Sequence, residues 1–242
     1  MRRPIGVQLW SVYTLDDFPG VLRQLSEMGY AGVEAFGLHG LSPYVVRHLL
    51  DDLGLELFSS HAPFPAGSDA RRILDEQSEL GAPVLAWSLE ADEFATEESI
   101  ARGVERVNEG VANANAYGMQ LAYHNHSSEF SRLADGRRAY DVLLEKLSPD
   151  VLLELDVYWA AVAGADPAAV VREYGDRVRF LHLRDGPAKT ADDTMVALGQ
   201  GSLDIPAILD ANPSVAWHIV ELDRCADVMT ALRESFDYLN AL

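Results

Sequence analysis

Three side chains that could bind a metal ion each stand at or near the end of an otherwise apolar run. Asp156 closes LLELD, His182 lies in RFLHL and Glu221 lies in HIVEL. Carboxylates and an imidazole are ligand types for Mn²⁺, Mg²⁺, Co²⁺ or Zn²⁺ that leave coordination positions open for a substrate. Desolvating three such groups is costly, and a divalent cation offsets that cost. We therefore predict a metal site, with hydrogen bonding to loops or to Arg184 and Arg224 as the alternative.

The elements that would position these side chains are short apolar runs that alternate with helical patterns. Strands are predicted at 5–10, 32–36, 55–61, 83–88, 120–125, 151–156, 178–183 and 216–222. Helices are predicted at 17–28, 97–117, 137–147, 167–174 and 225–240. Alternation of this kind indicates a parallel sheet, and eight units of about 30 residues fit an α/β fold, the (β/α)8 TIM barrel. We predict a single TIM-barrel domain over residues 1–242.

One residue near the C-terminal end of each predicted strand belongs to a regular series. Its members are separated by 26 to 39 residues and are Gln8, Glu34, His61, Trp87, His124, Asp156, His182 and Glu221. In a closed barrel these positions form a ring at the mouth where active sites lie. A doubly wound sheet is the competing architecture, but the turn after the first strand, SVYTLDD, lacks the G-x-G-x-x-G of a dinucleotide site.

The charge of the chain narrows the function classes. The formal net charge is −19, with 17 arginines and only two lysines, which opposes binding to nucleic acid or to an anionic membrane. This skew is typical of proteins from high-salt cytoplasms, and an acidic protein from a GC-rich genome is the alternative. The single cysteine, Cys225, excludes an internal disulfide and a cysteine-based zinc cluster. Without a bilayer-length apolar run or a signal region, a cytoplasmic location is expected.

Seven stretches resemble the sugar phosphate isomerase/epimerase family with the xylose isomerase-like TIM barrel. They occur in barrel order over nearly the whole chain and are GVQLWSV (6–12), GYAGVEAFG (29–37), AYHNHSSEF (122–130), LELDVYWA (153–160), FLHLRDG (180–186), GQGSLDIPAIL (199–209) and VELDR (220–224). The HNHxxEF segment is similar to one branch of the family, the branch with this motif at strand five.

The resemblance implies one divalent metal ion (Mn, Mg, Co or Zn) held by side chains from strands five to eight. Asp156, His182 and Glu221 match three of the four ligand positions. The fourth is usually a glutamate at the end of strand five, where this chain has His124. We favour Glu129 as the fourth ligand because it keeps the site rich in hard oxygen donors, and His124 or His126 is the alternative.

If Glu129 binds the metal, His124 and His126 are free to act as general acid and base, since imidazole titrates near neutral pH. A hydrogen bond that orients a metal ligand is the alternative role for His126. The resemblance also allows Glu221 to act as ligand and base together. The residues expected to bind substrate are Gln8, Glu34, His61, Trp87, Trp159, Arg184 and Asp185.

Several of these substrate-binding assignments have structural alternatives. Glu34 could pair with an arginine, Asp185 could cap a loop, and Arg184 could form a surface salt bridge. The tryptophans could belong to the core instead of packing on a sugar ring.

The resemblance implies proton abstraction next to a carbonyl through a metal-bound enediolate, on a sugar, keto-sugar or polyol. Isomerisation or epimerisation is the expected outcome, and a lyase or dehydratase acting on a 3-keto-sugar or inosose-type substrate is the second. A multinuclear phosphoesterase is disfavoured by the acidic charge and the shortage of histidine. His124 at strand five keeps a non-enzymatic sugar-binding or regulatory barrel open. The oligomeric state is not indicated, so a homo-oligomer stays among the alternatives.

Overall fold

Eight parallel strands close into a barrel in the order in which they occur along the chain. The computed structural model describes residues 3–242, so residues 1–2 of the predicted domain lie outside the described part. Each strand pairs with its neighbours in sequence, and the last pairs with the first. The strands are β1 Ile5–Gln8, β2 Gly32–Phe36, β3 Glu56–His61, β4 Val84–Trp87, β5 Gln120–His124, β6 Leu152–Asp156, β7 Val178–Leu183 and β8 Trp217–Val220. The predicted fold class is confirmed.

Within residues 3–242, nine α-helices surround or follow the strands. They are α1 Phe18–Met28, α2 Pro43–Leu53, α3 Ala70–Leu80, α4 Glu97–Ala116, α5 Ala139–Lys146, α6 Val157–Val162, α7 Pro167–Tyr174, α8 Ile205–Ala211 and α9 Val228–Ala241. No helix in this described range combines the length and the apolar character needed to cross a bilayer. The apolar faces of the helices pack on the outer surface of the barrel and bury a continuous core.

Local sequence signals set where the helices begin and end. The Asp17 and Ser42 side chains accept hydrogen bonds from backbone N–H groups in the first turns of α1 and α2, and each of these helices has a proline in its first turn. Gly29 ends α1 with a φ of 105°, which a residue bearing a Cβ rarely adopts. The short turns that follow the helices return the chain to the N-terminal end of the barrel before each new strand.

The lower interior of the barrel is apolar and tightly filled. Phe58 stacks on Trp217 with ring centroids 4.1 Å apart, and Phe180 completes the aromatic layer. A Cβ at Gly6 would come within 2.4 Å of the Phe58 ring, so glycine is needed where this layer approaches β1. Because this layer closes the bottom of the barrel, the polar side chains above it face only the mouth.

Candidate active site

Strand register brings the predicted metal ligands together. Asp156 on β6 is paired directly with His182 on β7, and Glu221 follows the end of β8 by one residue. One donor atom from each of these three residues lies within 4.8 Å of the others, and all three side chains are buried. We call Asp156, His182 and Glu221 the mouth cluster.

Backbone contacts hold the Asp156 carboxylate in a fixed orientation. Its Oδ1 accepts hydrogen bonds from the N–H groups of Tyr158 (2.9 Å) and Trp159 (3.0 Å) at the start of α6. The Asn125 side chain bridges β5 to β6 by accepting from the Asp156 N–H (3.0 Å) and donating to its carbonyl (3.1 Å). This leaves Oδ2 directed at the mouth cluster.

Arg184 supplies the positive charge of the mouth cluster in this structure. Its guanidinium donates to Asp156 Oδ2 and to Glu221 Oε2, each at 2.6 Å, and also contacts Asp223. Arg184 is only 2% exposed and lies 5.4 Å from the Trp159 ring centre. Arg184 therefore does not form the surface salt bridge that was its alternative role. Its pairing with Asp156 and Glu221 is the contact that was the alternative to a metal site.

A second polar cluster surrounds Glu154, which lies deeper along β6 than Asp156. The Glu154 carboxylate Oε1 contacts His61 Nε2 (2.7 Å), His124 Nδ1 (3.1 Å) and His182 Nε2 (3.2 Å). We call His61, His124, Glu154 and His182 the floor cluster, and their donor atoms also lie within 4.8 Å of one another. Glu154 was not predicted from the sequence, although it stands two residues before Asp156 and so points to the same side of β6.

Glu34 and Gln8 lie beside the floor cluster instead of at the open mouth. Glu34 Oε1 contacts His182 Nε2 (2.8 Å) and His61 Nε2 (3.2 Å), and it accepts from Gln8 Nε2 (2.7 Å). Both Glu34 and Gln8 are fully buried. Glu34 thus pairs with imidazoles and not with an arginine, which was its alternative partner.

The pKa values of the deep groups are displaced by burial and by their neighbours. Burial and the Glu154 charge raise the pKa of Glu34 to about 7. Although burial opposes it, the charges of Glu154, Glu34 and Glu221 raise the pKa of His182 well above its usual value. At Glu154, burial alone would raise the pKa, but the charges of His182 and His61 outweigh it and lower the pKa. Within the floor cluster, His182 and His61 thus stabilise the charge of Glu154, and Glu154 in turn stabilises the protonated form of His182.

The two histidines of the AYHNHSSEF stretch behave differently from His61 and His182. Burial lowers the pKa of His124 well below its usual value, despite the hydrogen bond to Glu154. Desolvation by the surrounding protein, together with the Arg184 charge, lowers the pKa of His126 to about 4, although the residue is partly exposed to solvent. Both imidazoles are neutral at pH 7 and can accept a proton.

A cavity of about 540 Å³ opens above these clusters. Its aromatic walls come from Trp10, Phe36, Trp87 and Trp159, and its polar lining includes His61, His124, His126, Arg184, Glu221 and Asp223. Of the predicted substrate-binding residues, the structure places His61, Trp87, Trp159 and Arg184 on this surface. Gln8 and Glu34 lie beneath it. Asp223, a lining residue, was not predicted.

Asp185 lies under the loop that precedes α8 and does not line the cavity. Its carboxylate accepts hydrogen bonds from the backbone N–H groups of Gly199 (2.9 Å), Gly201 (3.0 Å) and Leu203 (3.2 Å). Asp185 is fully buried. This arrangement matches the loop-capping alternative and leaves the side chain no free oxygen lone pair directed at the cavity.

The structure does not bring Glu129 together with the mouth cluster. Glu129 lies in the turn after β5, where it accepts hydrogen bonds from Tyr123 Oη (3.1 Å) and Ser128 Oγ (3.2 Å). Tyr123 neighbours His124 on β5 and therefore points to the outer face of the barrel, which carries Glu129 outward with it. Burial raises the pKa of Glu129 to about 7.

Comparison with known protein families identifies the family of this barrel. The family model described as "Xylose isomerase-like TIM barrel" matches residues 22–239. The chain belongs to this family. The resemblance inferred from the sequence is thereby confirmed, while the branch with the strand-five motif stays a prediction.

Two curated proteins similar to this chain are named as enzymes of small sugar-like molecules. An inosose dehydratase from Lacticaseibacillus casei is 26% identical over 225 residues, covering 78% of this chain and 72% of that protein. A 2-epi-5-epi-valiolone 7-phosphate 2-epimerase from Actinoplanes sp. is 29% identical over 195 residues, covering 78% of this chain and 64% of that protein.

Solved structures agree with the fold. A sugar phosphate isomerase/epimerase from Parabacteroides distasonis has a TM-score of 0.82 at 23% identity, covering 100% of this chain and 94% of that chain. The IOLI protein, solved with a bound zinc atom, has a TM-score of 0.77 at 17% identity, covering 98% of this chain and 96% of that chain.

The residues of the mouth cluster fit a divalent cation. Two carboxylates and one imidazole converge there, and a positive charge already bridges the two carboxylates in the form of Arg184. In this structure the same oxygens accept hydrogen bonds from a guanidinium at 2.6 Å, so the site favours a cation electrostatically. A metal ion at this cluster would compete with Arg184 for those oxygens.

Proposed function

We propose that this chain is a metal-dependent enzyme that removes the proton next to the carbonyl of a sugar, a keto-sugar or the ketone of a polyol, with isomerisation or epimerisation as the net reaction. The observation that carries the proposal is the mouth cluster, whose Glu221 lines the same cavity as the neutral imidazoles of His124 and His126. Asp156, His182 and Glu221 would hold the metal. When bound there, a divalent cation polarises a carbonyl and lowers the pKa of the adjacent C–H.

His126 is the residue best suited to accept the proton. It lines the cavity, its pKa of about 4 keeps it neutral at pH 7, and its ring has no hydrogen-bond partner within residues 3–242. His124 stands behind it with ring centroids 5.0 Å apart and is the second candidate base, but its Nδ1 is engaged by Glu154. Glu221, as in the prediction from the family, would serve as ligand and local base together.

The remaining cavity surface suits a hydroxylated ligand. The Trp159 Nε1 donor and the Asp223 Oδ1 acceptor are both buried without a hydrogen-bond partner among the described residues. Since buried polar atoms are seldom left unpaired, hydroxyl groups of a bound ligand would satisfy both. The aromatic faces of Trp87 and Trp159 would pack against the apolar face of a sugar ring. Arg184, once displaced from one carboxylate, could donate to a substrate oxygen.

Elimination is the second candidate reaction, and a specific observation favours it. His61 lines the cavity with its pKa raised by Glu34 and Glu154 against the effect of burial. His61, which holds a proton more tightly than an ordinary histidine, and neutral His124 provide an acid and a base whose pKa values are pushed apart, as loss of a β-hydroxyl group requires. The dehydratase relatives are consistent with this outcome.

Proton exchange with solvent tests the proposal directly. The Mn²⁺-loaded protein is incubated in D₂O with a panel of ketoses and cyclic polyol ketones, and deuterium at the carbon beside the carbonyl is measured by NMR. We expect exchange with at least one substrate and its loss in an Asp156→Asn variant. Product with all its oxygen atoms indicates isomerisation or epimerisation, whereas loss of water indicates elimination. Sugar binding without exchange by the metal-loaded protein would instead support the non-enzymatic barrel.

A further inference from the structure

The floor cluster contains buried negative charge that lacks a permanent cationic partner. Glu34 and Glu154 are both fully buried, and within residues 3–242 their ion-pair partners are imidazoles alone. The mouth carboxylates differ, because Arg184 neutralises them. Two carboxylates in this position depend on protons taken up by histidines, or on a cation that replaces those protons.

The floor cluster also has carboxylate oxygens that nothing satisfies. Glu34 Oε2 and Glu154 Oε2 are buried and have no hydrogen-bond partner among the described residues. Unpaired carboxylate oxygens at full burial are rare, because each forfeits its interaction with water. Their presence beside three imidazoles points to a ligand that accepts several electron pairs at once.

The spacing of the donor atoms suits a metal ion. The distances from Glu154 Oε1 to the three imidazole nitrogens are 2.7, 3.1 and 3.2 Å. Donor atoms that surround an ion through bonds of about 2.0–2.2 Å are separated by roughly 3.0–3.4 Å, so only small movements are required. Three imidazoles and a carboxylate favour Zn²⁺ or Co²⁺ over Mg²⁺.

His182 links the two clusters through its two ring nitrogens. Its Nδ1 contacts Glu221 Oε2 at 2.6 Å on the mouth side, and its Nε2 contacts Glu34 Oε1 at 2.8 Å on the floor side. One ring can therefore present a different nitrogen to each cluster. When both clusters hold a metal ion, the ring releases its N–H proton to solvent and bridges the two ions as an imidazolate. The mouth and floor clusters are distinct in their other ligands and share only this ring.

We propose that the floor cluster is a second divalent-cation site, in which His61, His124, Glu154 and the Nε2 atom of His182 bind a metal such as Zn²⁺ or Co²⁺. Glu34 lies alongside as an additional carboxylate. The site shares only His182 with the mouth cluster, and a metal ion bound there would engage His61 and His124 and leave His126 as the base of the proposed reaction.

Counting bound Co²⁺ in matched variants tests this site. Protein stripped with a chelator is dialysed against CoCl₂, and cobalt per chain is measured by mass spectrometry together with the visible absorption of the ion. Wild type should bind about two ions. Glu154→Gln and His61→Asn should each lose one ion, Asp156→Asn should lose the other, and Glu129→Gln is the control. Glu129 is equally buried but lies outside both clusters, so that variant should retain both ions.

The outcomes separate this site from the proposed function. One ion that Glu154→Gln and His61→Asn both remove and Asp156→Asn retains would support the floor site and contradict the mouth metal. A full cobalt count in folded Glu154→Gln and His61→Asn would overturn the floor site and leave the proposed function standing. Absence of any bound cobalt in wild type would overturn both. Circular dichroism and urea unfolding establish that each variant is folded.

Discussion

Among the imidazoles that line the cavity, His126 is the one without a hydrogen-bond partner among the described residues, so we expect it to accept the proton from the substrate. We predict that His126→Gln lowers the rate of deuterium exchange by about 10²–10⁴-fold, the usual contribution of a positioned base. Bound Mn²⁺ should be unchanged, because His126 belongs to neither cluster. His48→Gln, on α2 beside Tyr44, is the control and should keep the full rate. Equal rates for the His126 variant and wild type would remove His126 from the mechanism.

Glu129 controls a pH-dependent part of the stability. Burial raises its pKa to about 7 in the folded protein, from 4.5 in an exposed glutamate. The folded state therefore holds this proton more tightly than the unfolded state, and the stabilisation is lost as pH rises from 4.5 through 7. Glu129→Gln keeps an acceptor for the Tyr123 hydroxyl but cannot ionise. The variant should gain roughly 1–3 kcal/mol in free energy of unfolding relative to wild type between pH 5 and pH 8.

Urea unfolding of both proteins at the two pH values provides the measurement. The difference between variant and wild type isolates Glu129 from Asp156 and Glu34, whose pKa values are also raised by burial. A difference that stays constant from pH 5 to pH 8 would show that Glu129 is already ionised in the folded protein.

The sequence predicted the mouth cluster because parallel strands end at one rim, and each of its three members closes an apolar run. The same reasoning does not predict Glu154, because it treats LLELD as apolar up to its last residue. The period of two nevertheless puts Glu154 and Asp156 on one face of the strand. The position of Glu129 could not be predicted, because the direction of a turn after a strand depends on tertiary packing around Tyr123.

The carboxylate of Asp185 holds the loop before α8 against the barrel. Asp185 accepts four backbone hydrogen bonds from Gly186, Gly199, Gly201 and Leu203. We predict that Asp185→Ala makes residues 187–203 susceptible to limited proteolysis and lowers the free energy of unfolding by about 1–3 kcal/mol. The control is Asp193→Ala, which removes an exposed turn contact to Lys189 and Thr190 within the same segment.

Cleavage should be faster in the Asp185 variant than in the Asp193 variant when fragments are identified by mass spectrometry. Indistinguishable cleavage of the two variants would mean that the loop is held by other contacts. Deuterium exchange into substrate should also slow, because this loop contains Ala191, which lines the cavity.

Strands were the most predictable elements of this chain. All eight were anticipated, with ends within two residues of those in the structure, because strands buried on both faces give continuous apolar runs. Helices α1, α4, α5, α7 and α9 were also anticipated. Helices α2, α3, α6 and α8 were not identified: α6 directly continues the apolar run of β6, and the short α8 follows a glycine-rich turn.

The net charge of −19 makes the response of stability to salt a test of adaptation to high salt. The screening length falls from about 10 Å at 0.1 M salt to about 3 Å at 1 M, so repulsion among surface carboxylates weakens. If the protein is adapted to high salt, its melting temperature should rise by several degrees between low and molar KCl, with NaCl giving the same rise at equal ionic strength. A melting temperature that does not rise would favour the alternative, an acidic protein from a GC-rich genome.

The position of the metal ion is the most direct test of the central claim, and crystals soaked in Mn²⁺ with data collected at the manganese absorption edge provide it. We predict an anomalous peak about 2.0–2.2 Å from one atom each of Asp156, His182 and Glu221. The guanidinium of Arg184 should have left at least one of the two carboxylates. At saturating Mn²⁺, an Arg184 that still bridges Asp156 and Glu221, with no peak within bonding distance of either, would contradict the account.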